Sequence, residues 1–553
     1  MEKRVILAFV LSVVVFVLYT FLVPTEKSSD KGTPKPEEKK AAQTAPVQPA
    51  TAEPGTASPA VKTPPATTAA QTARSGRDIV VKTKWFEAVF SEPGGTLKSL
   101  RLTAYKEQLH DPALKELIRV ESPTEYPLQL TWVKNTQAPL SQVQFEADKP
   151  SLTLSPDRKQ GTLTFRGVSP QGLALSKTFT FDYDSYRIDL DIRVVNDSAQ
   201  PLDDNLALLL ESRFPKIEND PSSAFQGQLT YQDGKYEEKG LDKFEKEVTT
   251  SGKIQWGALS DTYFMQAIVP VENQGIASIK TSRPNPEQLR ALFVLSPINL
   301  PAQGEKTLRL ALYFGPRDIA VLKPLKLELE QAVNFGFFDI IAKPLLWVLK
   351  FFNGFMHNYG WAIIVLTILV KILFWPLTHK SYKSMKDMQK LQPKMAKIRE
   401  KYKDNREKMN QETMALYKTY KVNPMGGCLP MVIQIPVFFA LYSLLGYAIE
   451  LRHAPFLLWI NDLSAPDRLP IGMMIPYVGN GIPVLTLLMG ASMFIQQKMT
   501  PTTGDPTQAK LMLFLPVVFT FMFINFAAGL VLYWLVNNVL SIGQQYYINK
   551  YVN

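Results

Sequence analysis

The fold is decided by residues 361–378, WAIIVLTILVKILFWPLT, together with the segment that follows them. These 18 residues carry one charge, Lys371. As a helix they would be about 27 Å long, close to the thickness of a membrane's hydrocarbon core. The next 46 residues, 379–424, hold 13 Lys or Arg against 5 Asp or Glu. Loops this basic stay on the cytoplasmic side of a membrane. The segments 361–378 and 379–424 together therefore predict a membrane-spanning helix that ends in the cytoplasm.

Four more apolar segments follow the basic loop, and we expect transmembrane helices near 427–449, 481–497, 509–524 and 530–548. The last two come from one uncharged run, Leu511–Leu540, which is too long for one straight span and contains the sequence Asn525–Gly529. A turn at Asn525–Gly529 returns the C-terminus to the side of the basic loop, as the charge bias requires. One long tilted helix is the alternative.

The N-terminal segment predicts a further span. Residues 5–23 are uncharged and follow Lys3 and Arg4, which favours an uncleaved signal anchor over 1–23 with a cytoplasmic N-terminus. A cleaved signal peptide is the alternative. Residues 24–77 contain nine prolines and no Leu, Ile, Phe, Tyr or Trp, so they predict a disordered linker rich in Pro, Ala and Thr. The total is six transmembrane helices with both termini cytoplasmic.

Residues 78–325 show a different pattern, in which apolar and polar residues alternate as in a half-buried β-strand. The clearest case is Ile188–Val194, IDLDIRV. The segment predicts an all-β sandwich domain outside the cytoplasm. Residues 334–357 are apolar but contain Asp339 and both Lys343 and Lys350, which is typical of an amphipathic helix lying in the membrane interface. Its expected apolar face is Phe338, Ile341, Leu345, Leu349 and Phe352.

Lys371 is the most informative residue, because no later predicted span contains the Asp or Glu that would usually accompany a charge at this depth. Its amine must therefore reach towards the cytoplasm or face a wet cavity lined by neutral polar groups. The candidate lining residues are Thr367, Gln434, Gln496, Trp534 and Asn538, the last two beginning a polar face that continues through Ser541 and Gln545. The alternative is that these residues only join helices by hydrogen bonds.

The basic loop 379–424 predicts a cytoplasmic helical hairpin that turns at Lys403–Asn405, with Asp404 as a possible cap of the second helix. Its methionines could adapt to varied apolar partners or fill the hairpin's own seam. Its charge could meet ribosomal RNA, anionic lipid or acidic protein. The candidate docking residues are Lys383, Lys386, Lys390, Lys394, Lys397 and Arg399.

Several classes of protein are disfavoured. The chain of 553 residues is 46% apolar and has a net charge of +11. These average values are typical of a soluble protein only because they combine very different segments. One cysteine, Cys428, permits no internal disulfide, and no metal or cofactor motif occurs. A secondary transporter would need acidic or histidine relays within the spans. A sugar-modifying domain would need a His–acid pair, and the β segment contains only His110.

The chain resembles the YidC/Oxa/Alb family of membrane protein insertases, in its Gram-negative form with a large periplasmic domain. The resemblance covers nearly the whole chain, and its most specific motifs are KILFWPLTHKSYKSM (371–385), MALYKTYKVNPMGGCLPMVIQIPVFFALY (414–442), ELRHAPFLLWINDLSAPD (450–467), QQKMTPTT (496–503) and GLVLYWLVNN (529–538). Two further stretches, WGALSDTYFMQAIVP (256–270) and LYFGPRD (312–318), resemble the family's outer domain.

The resemblance implies a multi-domain membrane protein: a polytopic α-helical core with five insertase helices, an N-terminal anchor, and a periplasmic β-super-sandwich like that of sugar mutarotases. It would lie in the bacterial inner membrane, with residues 24–357 mainly periplasmic. It would insert, fold and help assemble membrane proteins as a chaperone without being an enzyme. The implied partners are nascent membrane proteins, lipid, the Sec translocon and the ribosome, the last through 379–424, and not DNA.

The resemblance also implies a groove with a positive residue, usually arginine, that attracts polar segments of the client. That position is Lys371 here, which keeps the charge but loses the planar guanidinium. Where many relatives have two adjacent tyrosines near the start of the last span, this chain has Tyr533 and Trp534.

Overall fold

The structure is a computed structural model that describes residues 76–551, apart from 121, 135–139, 141–142, 170–171, 216–223, 272–274, 421, 423–428, 477 and 501–505. Side chains of 406, 429–431 and 506–511 are also left aside. The predicted signal anchor 1–23, and the predicted linker 24–77 except its last two residues, lie outside the described residues.

The regular structure in the first part of the chain is mostly β-strand, as the alternating pattern predicts. The strands are β1 (Asp78–Lys82), β2 (Phe86–Ser91), β3 (Thr96–Lys106), β4 (Leu114–Glu116), β5 (Leu130–Trp132), β6 (Glu146–Ala147), β7 (Ser151–Thr153), β8 (Gln160–Val168), β9 (Leu173–Asp182), β10 (Arg187–Asn196), β11 (Leu202–Arg213), β12 (Gln226–Gln232), β13 (Lys235–Gly240), β14 (Val248–Asp261), β15 (Phe264–Pro270), β16 (Ile276–Ser282), β17 (Gln288–Leu300) and β18 (Glu305–Pro316).

The strands form two sheets. The larger has 13 strands, with the path β5-β11-β17-β16-β14-β15-β18-β10-β9-β8-β6 and with β12 and β13 branching from β14. The smaller has five strands in the order β4-β3-β2-β1-β7. In β10, Ile188 pairs with Phe181 of β9 and is buried, while its neighbours along the strand face outward. The period of two therefore decides which side chains enter the core.

Aromatic side chains hold the two sheets together. Phe90 of the small sheet lies with its ring centroid 4.8 Å from that of Phe179 and 5.9 Å from that of Phe181, both in the large sheet. All three side chains are fully buried. Rings of this size remove a large apolar area from water, so this contact is a main source of the domain's stability.

The second part of the chain is mostly helical. Its helices are α1 (Asp339–Met356), α2 (Tyr359–Lys401), α3 (Arg406–Thr419), α4 (Leu429–Tyr447), α5 (Val484–Met499), α6 (Pro506–Phe523) and α7 (Ala528–Tyr551), and a hairpin of β19 (Leu469–Ile475) and β20 (Gly479–Ile482) lies between α4 and α5. A short α-helical turn, Ile319–Leu322, and three 3-10 turns, Lys323–Leu325, Leu329–Ala332 and Gly336–Phe338, join the two parts. Within the described residues, α2 alone is long and apolar enough to span a membrane, and Val432–Tyr447 and Met512–Phe523 are shorter apolar helices.

The helices depart from the sequence predictions at two points and agree with them at a third. The expected boundary at 378/379 is not a break in the backbone, because α2, 43 residues long in all, runs through it from Tyr359 to Lys401. A change from apolar to basic residues alters the surroundings of a helix without breaking it. The second arm, α3, is capped not by Asp404 but by Asn405, whose side chain accepts a hydrogen bond from the Lys408 N–H at 3.0 Å. The structure contains the predicted break in Leu511–Leu540, since α6 ends at Phe523 and α7 begins at Ala528, and the alternative of one long tilted helix is wrong.

Helix α1 is apolar on two sides rather than on one. The predicted face is only partly buried against the core, and the fully buried positions are Ala342, Leu346 and Leu349. On the outer side, Ile340 and Trp347 remain 83% and 68% exposed. Sequence spacing identified an apolar face but could not show that the remaining face is apolar as well.

Charged groups join the β part to the helices. The amine of Lys350 on α1 donates to Asp318, just after β18, at 3.1 Å and to Glu450, just after α4, at 2.9 Å. Burial raises the pKa of Glu450, although Lys350 opposes this. Burial alone would lower the pKa of Lys350, but Glu450 and Asp318 outweigh it and raise that pKa. Beside this triad, Arg452 donates to the Lys106 and Glu107 carbonyls at the end of β3.

Candidate functional site

The amine of Lys371 lies between helices α2 and α7. Its Nζ donates to Ser541 Oγ at 2.6 Å, and the Ser541 hydroxyl in turn donates to the Asn537 carbonyl at 2.7 Å. Lys371 is partly buried, and no described carboxylate forms an ion pair with it. The positive charge is therefore held by neutral oxygen atoms, which leaves it able to attract an added negative group.

Tyr382 extends the contact of Lys371 to a third helix. Its hydroxyl is hydrogen-bonded with Ser541 on α7 and with Gln496 on α5. Sequence reasoning missed Tyr382 because it lies in the basic segment, which we had interpreted as wholly cytoplasmic. The spacing could have indicated it, since residues 371 and 382 are three helical turns apart on α2 and so share a face.

A second set of polar groups adjoins the first through Asn537. Gln434 Nε2 on α4 donates to Asn537 Oδ1 at 3.1 Å, and the Tyr533 side chain is hydrogen-bonded with Gln434. The Asn537 carbonyl is the acceptor for Ser541. Side chains of α2, α4, α5 and α7 are thus linked in one series, which we call the polar network: Lys371, Tyr382, Gln434, Gln496, Tyr533, Asn537 and Ser541.

Three predicted groove residues lie outside the polar network. Trp534 packs among aromatic rings, with centroids 4.8 Å from Phe438 and 4.7 Å from Phe523. Asn538 Nδ2 donates to Ser492 Oγ on α5 at 3.0 Å, and Thr367 Oγ1 donates to its own helix at Ile363 O. Ser541 of the expected polar face does contact Lys371, but the other α7 residues in the polar network are Tyr533 and Asn537, the neighbours of the expected Trp534 and Asn538. Tyr533, Asn537 and Ser541 also recur every four residues, so periodicity alone could not choose between the two faces.

The basic hairpin closes on itself through methionines. Met388, Leu391 and Met395 of α2 pack with Tyr417 of α3, whose hydroxyl donates to Met395 Sδ at 3.3 Å. These methionines therefore fill the seam, one of the two alternatives considered. Met414 remains 50% exposed.

The predicted docking residues divide into two groups. Lys383, Lys390, Lys394 and Lys397 are exposed, although Lys390 pairs with Asp387 at 3.1 Å and Lys394 contacts the Tyr420 hydroxyl. With Lys380 and Val422, the first three line an open concavity of about 670 Å³.

Lys386 and Arg399 differ from this exposed group. Lys386 is half-buried, and its amine donates to the Ile548 and Asn549 carbonyls at the end of α7. The Lys386 amine thus already serves the last turn of a helix, and its role in docking stays a prediction. Arg399 is also half-buried. In the described part of the chain, no cluster of three His, Cys, Asp or Glu side chains could hold a metal ion.

The described chain combines a mostly β part with a helical part that contains one helix long enough to span a membrane, and comparison with known proteins gives its class and family. Residues 351–553 match the family described as 60Kd inner membrane protein, and residues 78–348 match the YidC periplasmic domain. The membrane protein insertase YidC of Geotalea uraniireducens is 44% identical over 551 residues, covering 100% of this chain and 99% of that protein. That of Syntrophus aciditrophicus is 43% identical over 561 residues, covering 100% of each chain.

Two solved structures were also compared. A crystal structure of an active YidC insertase is 20% identical, covering 87% of this chain and 94% of that chain, with a TM-score of 0.38. A galactose mutarotase-like protein from Lactobacillus casei is 13% identical, covering 43% of this chain and 99% of that chain, with a TM-score of 0.32. The full-length relatives decide the assignment: the chain belongs to the YidC family of membrane protein insertases, which are inner-membrane proteins.

Proposed function

We propose that this chain inserts membrane proteins by receiving a polar, acidic client segment at Lys371 and the polar network around it. The observation that carries the proposal is an amine held by a hydroxyl and not by a carboxylate. A polar segment entering hydrocarbon without partners costs several kcal/mol for each unsatisfied group. The network offers it hydrogen-bond partners and one positive charge, so this cost falls while the apolar flanks move into lipid.

We infer a membrane topology of six spans with both termini cytoplasmic and residues 24–357 mainly periplasmic. The five core spans would lie within α2, α4, α5, α6 and α7, and the β part would form a periplasmic super-sandwich. The exposed apolar side chains of the helices support this placement, because soluble surfaces rarely expose so many together. Examples are Leu373 at 72%, Phe514 at 59% and Phe521 at 72% exposure.

The client groove would use fewer of the expected residues than the sequence indicated. Lys371, Gln434, Gln496 and Tyr533 belong to it, whereas Thr367, Trp534 and Asn538 would support it by packing. Lysine attracts a carboxylate as a point charge and does not form the two-pronged contact of arginine. We therefore propose attraction by charge, with little demand on the geometry of the client's carboxylate.

The proposed partners are nascent membrane proteins, the Sec translocon for some of them, and the ribosome. The exposed lysines of 379–424 would meet the ribosome, since they form a basic concavity at the hairpin. Folding and assembly of clients would follow as chaperone activity of the same surface. The process needs no covalent step, so we propose no catalytic residue and no cofactor.

The test is insertion of a short membrane protein whose translocated segment is acidic, in proteoliposomes that contain wild-type, Lys371→Ala or Lys371→Arg protein. Loss of an attraction of about 1–2 kcal/mol lowers insertion roughly five- to thirtyfold for Lys371→Ala, while Lys371→Arg retains it. The control is the same client with its acidic residues changed to amides, for which wild type and Lys371→Ala should differ little. Equal insertion of the acidic client by wild type and Lys371→Ala contradicts the proposal.

A further inference from the structure

The hairpin of β19 and β20 is the most unusual surface outside the polar network. From Leu469 to Ile482 its sequence, LPIGMMIPYVGNGI, contains no charged residue. Met473 and Met474 are 63% and 75% exposed. Because consecutive strand residues point to opposite faces, both faces of the hairpin present apolar side chains outward.

The base of this hairpin is firmly attached to the helices. Asp467 accepts hydrogen bonds from Trp459 Nε1 at 2.6 Å and from the Leu485 N–H at the start of α5 at 2.5 Å. Arg468 donates to the Ile524 carbonyl at 2.8 Å and to Asn525 Oδ1 at 2.7 Å, in the turn between α6 and α7. Because these hydrogen bonds hold the base of the hairpin, the position of its apolar tip relative to the helices is fixed.

The hairpin lies on the side of the molecule that carries the β part. Glu450 and Arg452, at the start of the same connection, contact Lys350 and the end of β3. Under the proposed topology this is the periplasmic side. Just beyond the hairpin, Leu487 and Leu488 on α5 are 49% and 51% exposed, so its apolar surface continues into the apolar surface of the helices.

We propose that the hairpin tip, residues 473–476 and 478, inserts into the outer leaflet at the boundary between headgroups and acyl chains. This inference rests on the membrane placement in the proposed function. A protein partner would cover one face of a hairpin, whereas lipid surrounds both, as the opposed methionines require. Continuity with the exposed face of α5 places the tip beside acyl chains.

The backbone limits the depth of insertion. A two-stranded hairpin has two edges whose N–H and C=O groups lack a strand partner, and such edges are not tolerated in the hydrocarbon core. The turn itself is closed, since the Val478 N–H donates to the Ile475 carbonyl at 3.1 Å. The tip therefore lies shallow, where its side chains contact acyl chains and its edges contact headgroups and water.

The test uses a fluorescent probe on single cysteines, with Cys428→Ser as background, in phosphatidylethanolamine–phosphatidylglycerol vesicles that carry a quencher at a shallow or a deep acyl position. Met474→Cys reports the hairpin tip. Lys235→Cys is the matched control, because it is exposed on a second β-hairpin whose tip is polar. Leu488→Cys on α5 reports the membrane placement itself.

We expect Met474→Cys to lose about half its emission with the shallow quencher and less with the deep one, while Lys235→Cys loses none and Leu488→Cys is quenched by the deep one. An unquenched Met474→Cys beside a quenched Leu488→Cys overturns the hairpin proposal alone. A blue-shifted but unquenched Met474→Cys also overturns it, because protein and not lipid would then cover the tip. An unquenched Leu488→Cys overturns the membrane placement and, with it, this inference.

Discussion

Among the described residues, Lys371 and Lys177 are two lysines whose amines are held by neutral oxygen atoms. The amine of Lys371 meets a hydroxyl, whereas that of Lys177, which is fully buried in β9, donates to the carbonyls of Gly94, Gly95 and Leu128 at 2.6, 3.1 and 2.7 Å. Three acceptors leave no position on Lys177 for a further ligand. Within the described part of the chain, the Lys371 amine donates to one acceptor, Ser541, so it can accept a client where Lys177 cannot.

Lys177 makes the stability of the β part depend on pH. Burial lowers the pKa of Lys177 to about 7. Between that value and its ordinary pKa the folded chain binds fewer protons than the unfolded chain, so the free energy of unfolding rises with pH in this window. From about pH 7 to about pH 9, the wild type should gain about 2 kcal/mol over Lys177→Met. Denaturant unfolding of the full chain, followed by tryptophan fluorescence, measures this difference, and a constant difference would contradict the assignment.

Sequence reasoning identified Lys371 because an intramembrane charge is costly wherever it lies. The sequence did not show which side chains of the other helices contact it. Asn537 and Asn538 are adjacent in the sequence, yet the first contacts Gln434 and the second contacts Ser492. Which of the two faces the lysine depends on how α7 is rotated against α2, α4 and α5, and that rotation is set by packing between helices that one sequence does not reveal.

At the scale of helices and hairpins, the continuity of α2 links the polar network to the basic hairpin. One helix carries Lys371 and Tyr382 and, further along, the seam residues Met388 and Met395. Apolar and basic patterns each predicted a helix correctly in their own segment. The patterns could not show that the apolar and basic segments form one continuous helix, because no residue type indicates that a helix continues from one segment into the next.

Lys386 connects helix α2 to the end of helix α7. Changing Lys386 to Ala removes the donor to the Ile548 and Asn549 carbonyls, so the last turn of α7 should fray. Hydrogen exchange at residues 546–551 should become roughly tenfold faster, equivalent to about 1.4 kcal/mol, with little change near Ser541. Lys383→Ala, which removes an exposed lysine one turn earlier, is the control. Equal exchange in the two variants would show that Lys386 does not hold this end.

At the scale of the whole molecule, the β part and the helices meet through charged contacts that the sequence did not predict. Lys350, Asp318 and Glu450 come from three separate segments, and Arg452 reaches β3 across more than 300 residues. The two architectures were predictable, because each has its own periodicity. Their junction was not, since it depends on pairing between segments that are distant in the chain.

Removing Lys350 should loosen this junction. In Lys350→Met the carboxylate of Glu450, which is 8% exposed, loses its partner, and a buried unpaired charge of this kind costs about 3–5 kcal/mol. Limited proteolysis between residues 316 and 339 should therefore accelerate. Adding Glu450→Gln to Lys350→Met removes the unpaired charge and should restore much of the resistance. Equal cleavage of wild type and Lys350→Met would show that the triad does not hold the domains together.

The central claim is that a client's polar segment meets the polar network around Lys371. The most direct measurement is photo-crosslinking from a reactive residue placed at Gln434 or Tyr382 to a ribosome-stalled client whose acidic segment is halfway inserted. Phe521, 72% exposed on α6, is the control position. The account predicts crosslinks from 434 and 382 to the acidic segment, and from 521 at most to its apolar flanks. Crosslinks to the acidic segment from 521, with none from 434 or 382, would contradict it.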